Sequence, residues 1–308
     1  MSTAVITGNE PDTHGTRAYS VLHRTTYVYE QEVSHSFTRA TLRPRATETQ
    51  RVLDHQIEIS PQPEVLDETN DRFGNPSQYI EVHTPHTRFE VVKRSILEVT
   101  WPQVELAEFD RWTLASASQE LRRRADPVTV GTYSLPSPMV ELSAPIRSFA
   151  HDLLTAEQGL GTAIRSVYET IHRDFSYRPG ATRIDTTLPE LLDARRGVCQ
   201  DFAHLGVACF RAMGLPARYV SGYLETIAPA GRPKLEGTDA THAWVSVMVP
   251  DGRWIDLDPT NGQLADSRYL VTAWGRDFSD VSPLKGVVFT EGGRSTLQVA
   301  VDVLPLPR

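Results

Sequence analysis

The sequence predicts an α+β fold: an antiparallel β domain, then a group of helices, then a second antiparallel sheet. Three observations carry this. Apolar residues alternate with period two through much of the first hundred residues, helical spacing takes over near residue 143, and alternation returns after residue 217.

Residues 1–16 are polar and hold Gly8, Pro11 and Gly15, and so read as a disordered arm. Over 17–100, Tyr19, Val21, Thr25, Tyr27 and Tyr29 share odd positions, and further strand-like runs cover His55 to Ile59, Ser77 to Val82 and Arg88 to Val99. Ser60-Pro61, Asn70-Asp71, Gly74-Asn75-Pro76 and Pro85 supply turns between them. Several short strands at this spacing predict an antiparallel β domain. Residues 101–142 read as a connector, with one short helix near Leu114 to Arg124 among repeated prolines. Residues 143–308 read as one unit. Ser143 and Pro145 open a helix, and Ile164, Val167, Tyr168 and Ile171 stripe a second. Thr187 starts a third, and a fourth runs from Cys199 to a stop at Gly214. Strands follow at Ala217 to Thr226, Thr241 to Val249 and Arg253 to Asp258, with two more near the C-terminus.

A chain of 308 residues can bury a core without disulfides or metals. No apolar run reaches 18 residues, so no membrane helix and no membrane partner are expected. The net charge of −8 argues against nucleic acid as a partner, and most of the acidic excess falls in residues 1–110. The start lacks a basic stretch followed by an apolar one, so no secretory signal is expected. The two cysteines, Cys199 and Cys209, lie ten residues apart on one helix, about 15 Å at 1.5 Å per residue, too far to pair. Free thiols predict a cytoplasmic protein.

Cys199 stands where a long helix begins. Unpaired N–H groups at a helix start stabilise a thiolate and can hold an oxyanion. A free cysteine titrates near 8.5, and bringing it near 4 takes about 6 kcal/mol. A helix terminus supplies at most about 2 kcal/mol, so a cationic partner must supply the rest. His242 is the candidate. Ala243, Val245, Val247 and Val249 form one strand face, and His242, Trp244, Ser246 and Met248 the other. A third group must orient the imidazole, and Asp256 and Asp258 are both at hand.

The turn decides between them. A two-residue Asp251-Gly252 turn would put His242 and Asp258 on opposite faces. A three-residue loop, with Gly252 left-handed, pairs Val249 with Arg253. Trp244 then lies opposite Asp258, Ser246 opposite Asp256, and His242 opposite Thr260. His242 and Asp258 become diagonal neighbours, about 7–8 Å apart at Cα. The favoured turn therefore selects Asp258.

Four blocks carry a resemblance: Cys199-Gln200-Asp201-Phe202-Ala203-His204, Gly214-Leu215-Pro216-Ala217-Arg218-Tyr219-Val220-Ser221-Gly222-Tyr223, His242-Ala243-Trp244-Val245, and Trp254-Ile255-Asp256-Leu257-Asp258-Pro259-Thr260-Asn261. Over roughly residues 145–265 the sequence resembles the bacterial transglutaminase-like family. The resemblance implies a papain-like core with Cys199, His242 and Asp258 as its triad. The first half, and Ala273 to Pro283, are similar to one bacterial branch of that family. Tyr177, Gln200 and Trp244 are expected to serve the oxyanion or support the triad.

The expected activity is acyl transfer on peptide or carboxamide bonds of a protein or peptide substrate, through a thioester and without a cofactor or metal. Water as acceptor gives a protease or amidase, favoured because an open site meets bulk water. An amine acceptor gives a transamidase or peptide-ligating acyltransferase. A binding protein with a vestigial site is the third reading. Cys199, His242 and Asp258 are possible zinc ligands by type but lack the short spacings of most zinc sites. Cys209, inside an apolar stripe, reads as core, and His204 as packing or as support behind the site.

Overall fold

The computed structural model describes Thr13, residues 15–226 and residues 241–307. The expected arm 1–16 lies almost wholly outside the described residues. The α+β class is as predicted.

The first sheet holds β1 (Arg17–Ala40), β2 (Gln50–Ser60), β3 (Val65–Asn70), β4 (Pro76–Val82) and β5 (His86–Val99), in the order β2-β5-β1-β4-β3. A 3-10 turn, Leu106–Arg111, leads into helices α1 (Leu114–Arg124), α2 (Pro127–Ser134), α3 (Ala144–Leu153) and α4 (Leu160–Asp174). Next come β6 (Ser176–Tyr177), α5 (Leu188–Ala194), β7 (Arg196–Gly197) and α6 (Cys199–Ala212). The second sheet is built from β8 (Ala217–Leu224), β9 (Thr241–Met248), β10 (Trp254–Asp258), β11 (Gln263–Leu264) and β12 (Tyr269–Gly275), ordered β11-β10-β9-β8-β12. One helical turn, α7 (Phe278–Val281), precedes β13 (Leu284–Thr290) and β14 (Ser295–Pro305).

The first departure concerns those last strands. Placed with residues 143–308 by sequence, they join the first sheet instead. β14 pairs with β1 from Tyr19↔Pro305 to Tyr29↔Ser295, and β13 pairs with its far end. The 24-residue β1 serves two sets of neighbours along its length. The second concerns 101–142. Asp126 caps α2 by accepting N–H bonds from Val128 and Thr129, and Pro127 sits at a position where its missing N–H costs nothing. The supposed connector thus contains two helices and sends Leu106, Phe109, Leu114, Ala117 and Leu121 into the helical core.

Two apolar layers position the site. Ala243, Val245 and Val247 pack against Phe202, Leu205 and Cys209 of α6. On the other side, Val220, Trp244 and Val271 meet Tyr19, Val21, Leu97, Val301 and Val303 of the first sheet. The two sheets therefore share a core, and β8, β9 and α6 are buried between neighbours. Among the described residues, no helix is long and apolar enough to cross a membrane.

Candidate active site

Cys199 is the first residue of α6, half-buried, while Cys209 is fully enclosed nearly three turns on, as expected of a core residue. Burial pushes the Cys209 thiol up to about 12, which keeps it protonated and inert. The approach to Cys199 is held by Asp201. Its Oδ2 accepts the Val198 N–H at 2.8 Å and the Thr182 hydroxyl at 2.6 Å. A Cβ on Gly197 would stand 2.7 Å from that oxygen, so only glycine lets the chain pass this close. Cys199 N–H lies among the groups that a helix start leaves without an internal partner.

The β9–β10 hairpin has the expected register. Val249 and Arg253 close the loop, Gly252 sits at φ +93°, and Asp256 pairs with Ser246 and Leu257 with Val245. Carried one step beyond the last paired residues, that register sets Asp258 opposite Trp244. His242 Nε2 donates to Asp258 Oδ2 at 2.7 Å, leaving Nδ1 for the thiol. Burial alone would pull His242 down. The Asp258 charge, its hydrogen bond and hydrogen bonding to Cys199 override that and lift it to about 10. Burial would push Asp258 up, but the facing imidazole and two further side-chain donors hold it below the usual carboxylate range.

Those donors reach Asp258 from two directions. Tyr269 Oη donates to Oδ2 at 2.8 Å and Asn261 Nδ2 at 2.6 Å, while the Thr260 N–H takes Oδ1 at 2.8 Å. Asp258 therefore shapes its own turn and holds His242 at once. Asn261 stood three residues away in the motif and its spacing could have marked it. Tyr269 lies on β12, and no local pattern links it to Asp258.

Trp244 is wholly buried, its indole 6.2 Å from the His242 ring and nearly parallel. Its Nε1 donates to Asp256 at 2.9 Å, so Asp256 supports the indole and not the imidazole. Gly222, the partner of His242 across β8, makes room for this. A Cβ there would meet Trp244 Cη2 at 2.6 Å and Leu270 O at 2.0 Å. Tyr177 sits on β6 beside Gly197, half exposed. Burial and the neighbouring Cys199 push its hydroxyl above the ordinary tyrosine value. Gln200 is half-buried in the first turn of α6. His204 is buried and accepts the Phe278 N–H at 3.1 Å, a packing role that ties α7 to α6. Among the described residues, no group of three or more His, Cys, Asp or Glu could hold a metal.

A helix opening on Cys199, packed on an antiparallel sheet that carries His242 and Asp258 side by side, is a papain-like, transglutaminase-type core. Known proteins agree. The bacterial transglutaminase-like N-terminal region matches residues 19–98, and the transglutaminase-like superfamily matches residues 147–259. An uncharacterized Mycobacterium tuberculosis protein is 42% identical over 299 residues, covering 94% of each chain. A Mycobacterium leprae relative, also uncharacterized, is 31% identical over 93% of this chain and 98% of its own. A candidate cysteine protease from Cytophaga hutchinsonii superposes with TM-score 0.77 over 96% of this chain and 92% of its own, at 20% identity, which shows a shared fold. The chain belongs to the bacterial transglutaminase-like family.

Proposed function

We propose that the protein is a cysteine-dependent acyl-transfer enzyme acting on peptide or carboxamide bonds, with water as the acceptor. The observation that carries this reading is the His242 Nε2–Asp258 Oδ2 bond of 2.7 Å, which leaves Nδ1 free for Cys199 at the start of α6. In the proposed reaction the Cys199 sulfur attacks the carbonyl carbon, and the new oxyanion meets the Cys199 N–H. The C–N bond breaks as His242 passes its Nδ1 proton to the leaving amine, giving a thioester. His242 then takes a proton from water, which attacks the thioester and releases the acid. Asp258 keeps the imidazole oriented and cationic between turns of the cycle. Tyr177, beside Gly197 on β6, and Gln200, in the first turn of α6, are the candidates for a second oxyanion donor, and Trp244 is assigned to shield the His242–Asp258 bond.

Both cysteines are free, in keeping with the cytoplasmic location expected. The natural test is turnover of a peptide library with and without hydroxylamine. Hydrolysis products from the wild type, absent in Cys199→Ala, support the reading. Products formed only with an added amine would replace water by an amine as acceptor. An inactive wild type whose Cys199 resists alkylation would point to a vestigial site.

A further inference from the structure

Arg218 is the second residue of β8, at the other end of that strand from the residues facing His242. It pairs with Ser246, and Ser246 with Asp256, four residues along β8 from the Gly222–His242 pair, or about 13 Å. Its guanidinium lies between two indoles, with Cζ 4.1 Å from the Trp254 ring centroid and 3.6 Å from that of Trp274. Arg45 stands 3.3 Å from the Trp274 centroid. Two guanidiniums this close to one ring must take opposite faces, so the order is Arg45, Trp274, Arg218, Trp254.

Arg218 is only 8% exposed, and a buried cation ordinarily carries acceptors on its N–H groups. Arg211, on the neighbouring α6, shows what that looks like. Its N–H groups reach the carbonyls of Tyr133, Leu135, Ala217 and Arg276 and the Ser137 hydroxyl. Arg218 has none of this. Its Nε is buried without a partner among the described residues. The facing carboxylate, Asp256, acts on it through charge, and Asp256 Oδ2 accepts its hydrogen bond from Trp244 Nε1.

The missing acceptor has a place to come from. Arg218 lines a cavity of about 660 Å³, with Phe73, Tyr133, Trp254, Trp274 and Arg276 around it. That volume suits an organic ligand and far exceeds a bare ion. Charge points the same way. Arg72 and Arg276 also line this space and share one carboxylate, Asp280, so positive charge is in excess. We propose that this cavity binds a small organic anion, a carboxylate or phosphate carried on a flat apolar ring, with Arg218 as its anchor. The planar fork of a guanidinium matches either oxyanion, and the aromatic walls accept the ring. The site stands apart from Cys199 and its occupancy is read by binding, so its failure leaves the acyl-transfer reading untouched.

The test is calorimetric titration of the full chain with benzoate, phenyl phosphate and, as neutral control, benzamide. At least one anion should saturate with 1:1 stoichiometry, and benzamide should bind at least tenfold more weakly. Benzoate against phenyl phosphate tells which oxyanion is preferred. Arg218→Met should weaken the anion at least tenfold. Gly131→Leu gives an answer that does not depend on how Arg218→Met folds. Gly131 lines the cavity and a Cβ there meets nothing within 4 Å, so the larger side chain fills the space with Arg218 intact. It should also abolish binding. No saturation by either anion up to about 10 mM, equal binding of benzamide, or undiminished binding in Gly131→Leu would overturn the proposal.

Discussion

Asp258→Asn removes one charge and keeps the shape of the side chain. Lifting His242 from 6.5 to about 10 corresponds to about 5 kcal/mol of preference for the imidazolium, to which both Asp258 and Cys199 contribute. Without the carboxylate charge, burial works against the cation and the imidazole becomes neutral near pH 7. A thiol lacking a cationic partner loses about 75-fold in thiolate between pH 8 and pH 6, given a value near 8.5. Alkylation of Cys199 by iodoacetamide, followed by mass spectrometry from pH 5 to 9, reads this directly. The wild-type rate should fall only a few-fold between pH 8 and 6, whereas Asp258→Asn should approach the full 75-fold loss. Stability should suffer too. The amide brings N–H groups to a place where His242, Tyr269 and Asn261 all donate, at a cost of roughly 2–3 kcal/mol. If the variant folds and its pH–rate profile overlays the wild type, Asp258 does not hold His242 cationic and the reasoning fails.

Cys209→Ala should keep activity within a few-fold and lose about 1–2 kcal/mol in urea denaturation, because Cys209 is buried in the α6 core; a dead enzyme would mean that the roles of the two thiols were misassigned. His23 and His204 are pulled by burial to about 3 and about 4, so the unfolded chain takes up two protons below pH 6.5 that the native state refuses. Stability should therefore fall by roughly 2 kcal/mol per histidine between pH 7 and 5, and equal or greater stability at pH 5 would refute this. The His242–Asp258 pair has its own window. Its contribution is complete between about 4 and 6.5, declines as pH rises toward about 10, and is lost again as Asp258 protonates in acid. A truncation starting at Ser137 should not fold, because it strips β13 and β14 of β1 and removes Leu106, Phe109 and Leu114 from the core; a cooperative thermal transition would contradict that.

The hairpin was legible because its determinants are local. Alternation sets which residues face together, and an Asp-Gly turn with glycine left-handed fixes the offset, so Asp258 separates from Asp256 before any coordinates. The start of α6 was legible for the same reason. Partners distant in the chain left no such trace. β14 reads as an ordinary strand, and nothing in Ser295–Pro305 says that it lies against Tyr19–Tyr29. Tyr269 likewise looks like a strand tyrosine, and only the packing of the second sheet brings its hydroxyl to Asp258. The prolines of 101–142 misled in a specific way. Read as breaks, they include Pro127 in the first turn of α2, where proline favours a helix.

In the proposed reaction Cys199 carries the acyl group. Mixing the enzyme with an activated peptide ester, quenching in acid within seconds and mapping the digest by mass spectrometry tests it most directly. One acyl mass should appear on the peptide containing Cys199, absent from Cys199→Ala and strongly reduced in His242→Ala. An acyl group on Cys209, or turnover of the ester with no covalent intermediate in any variant, would contradict it.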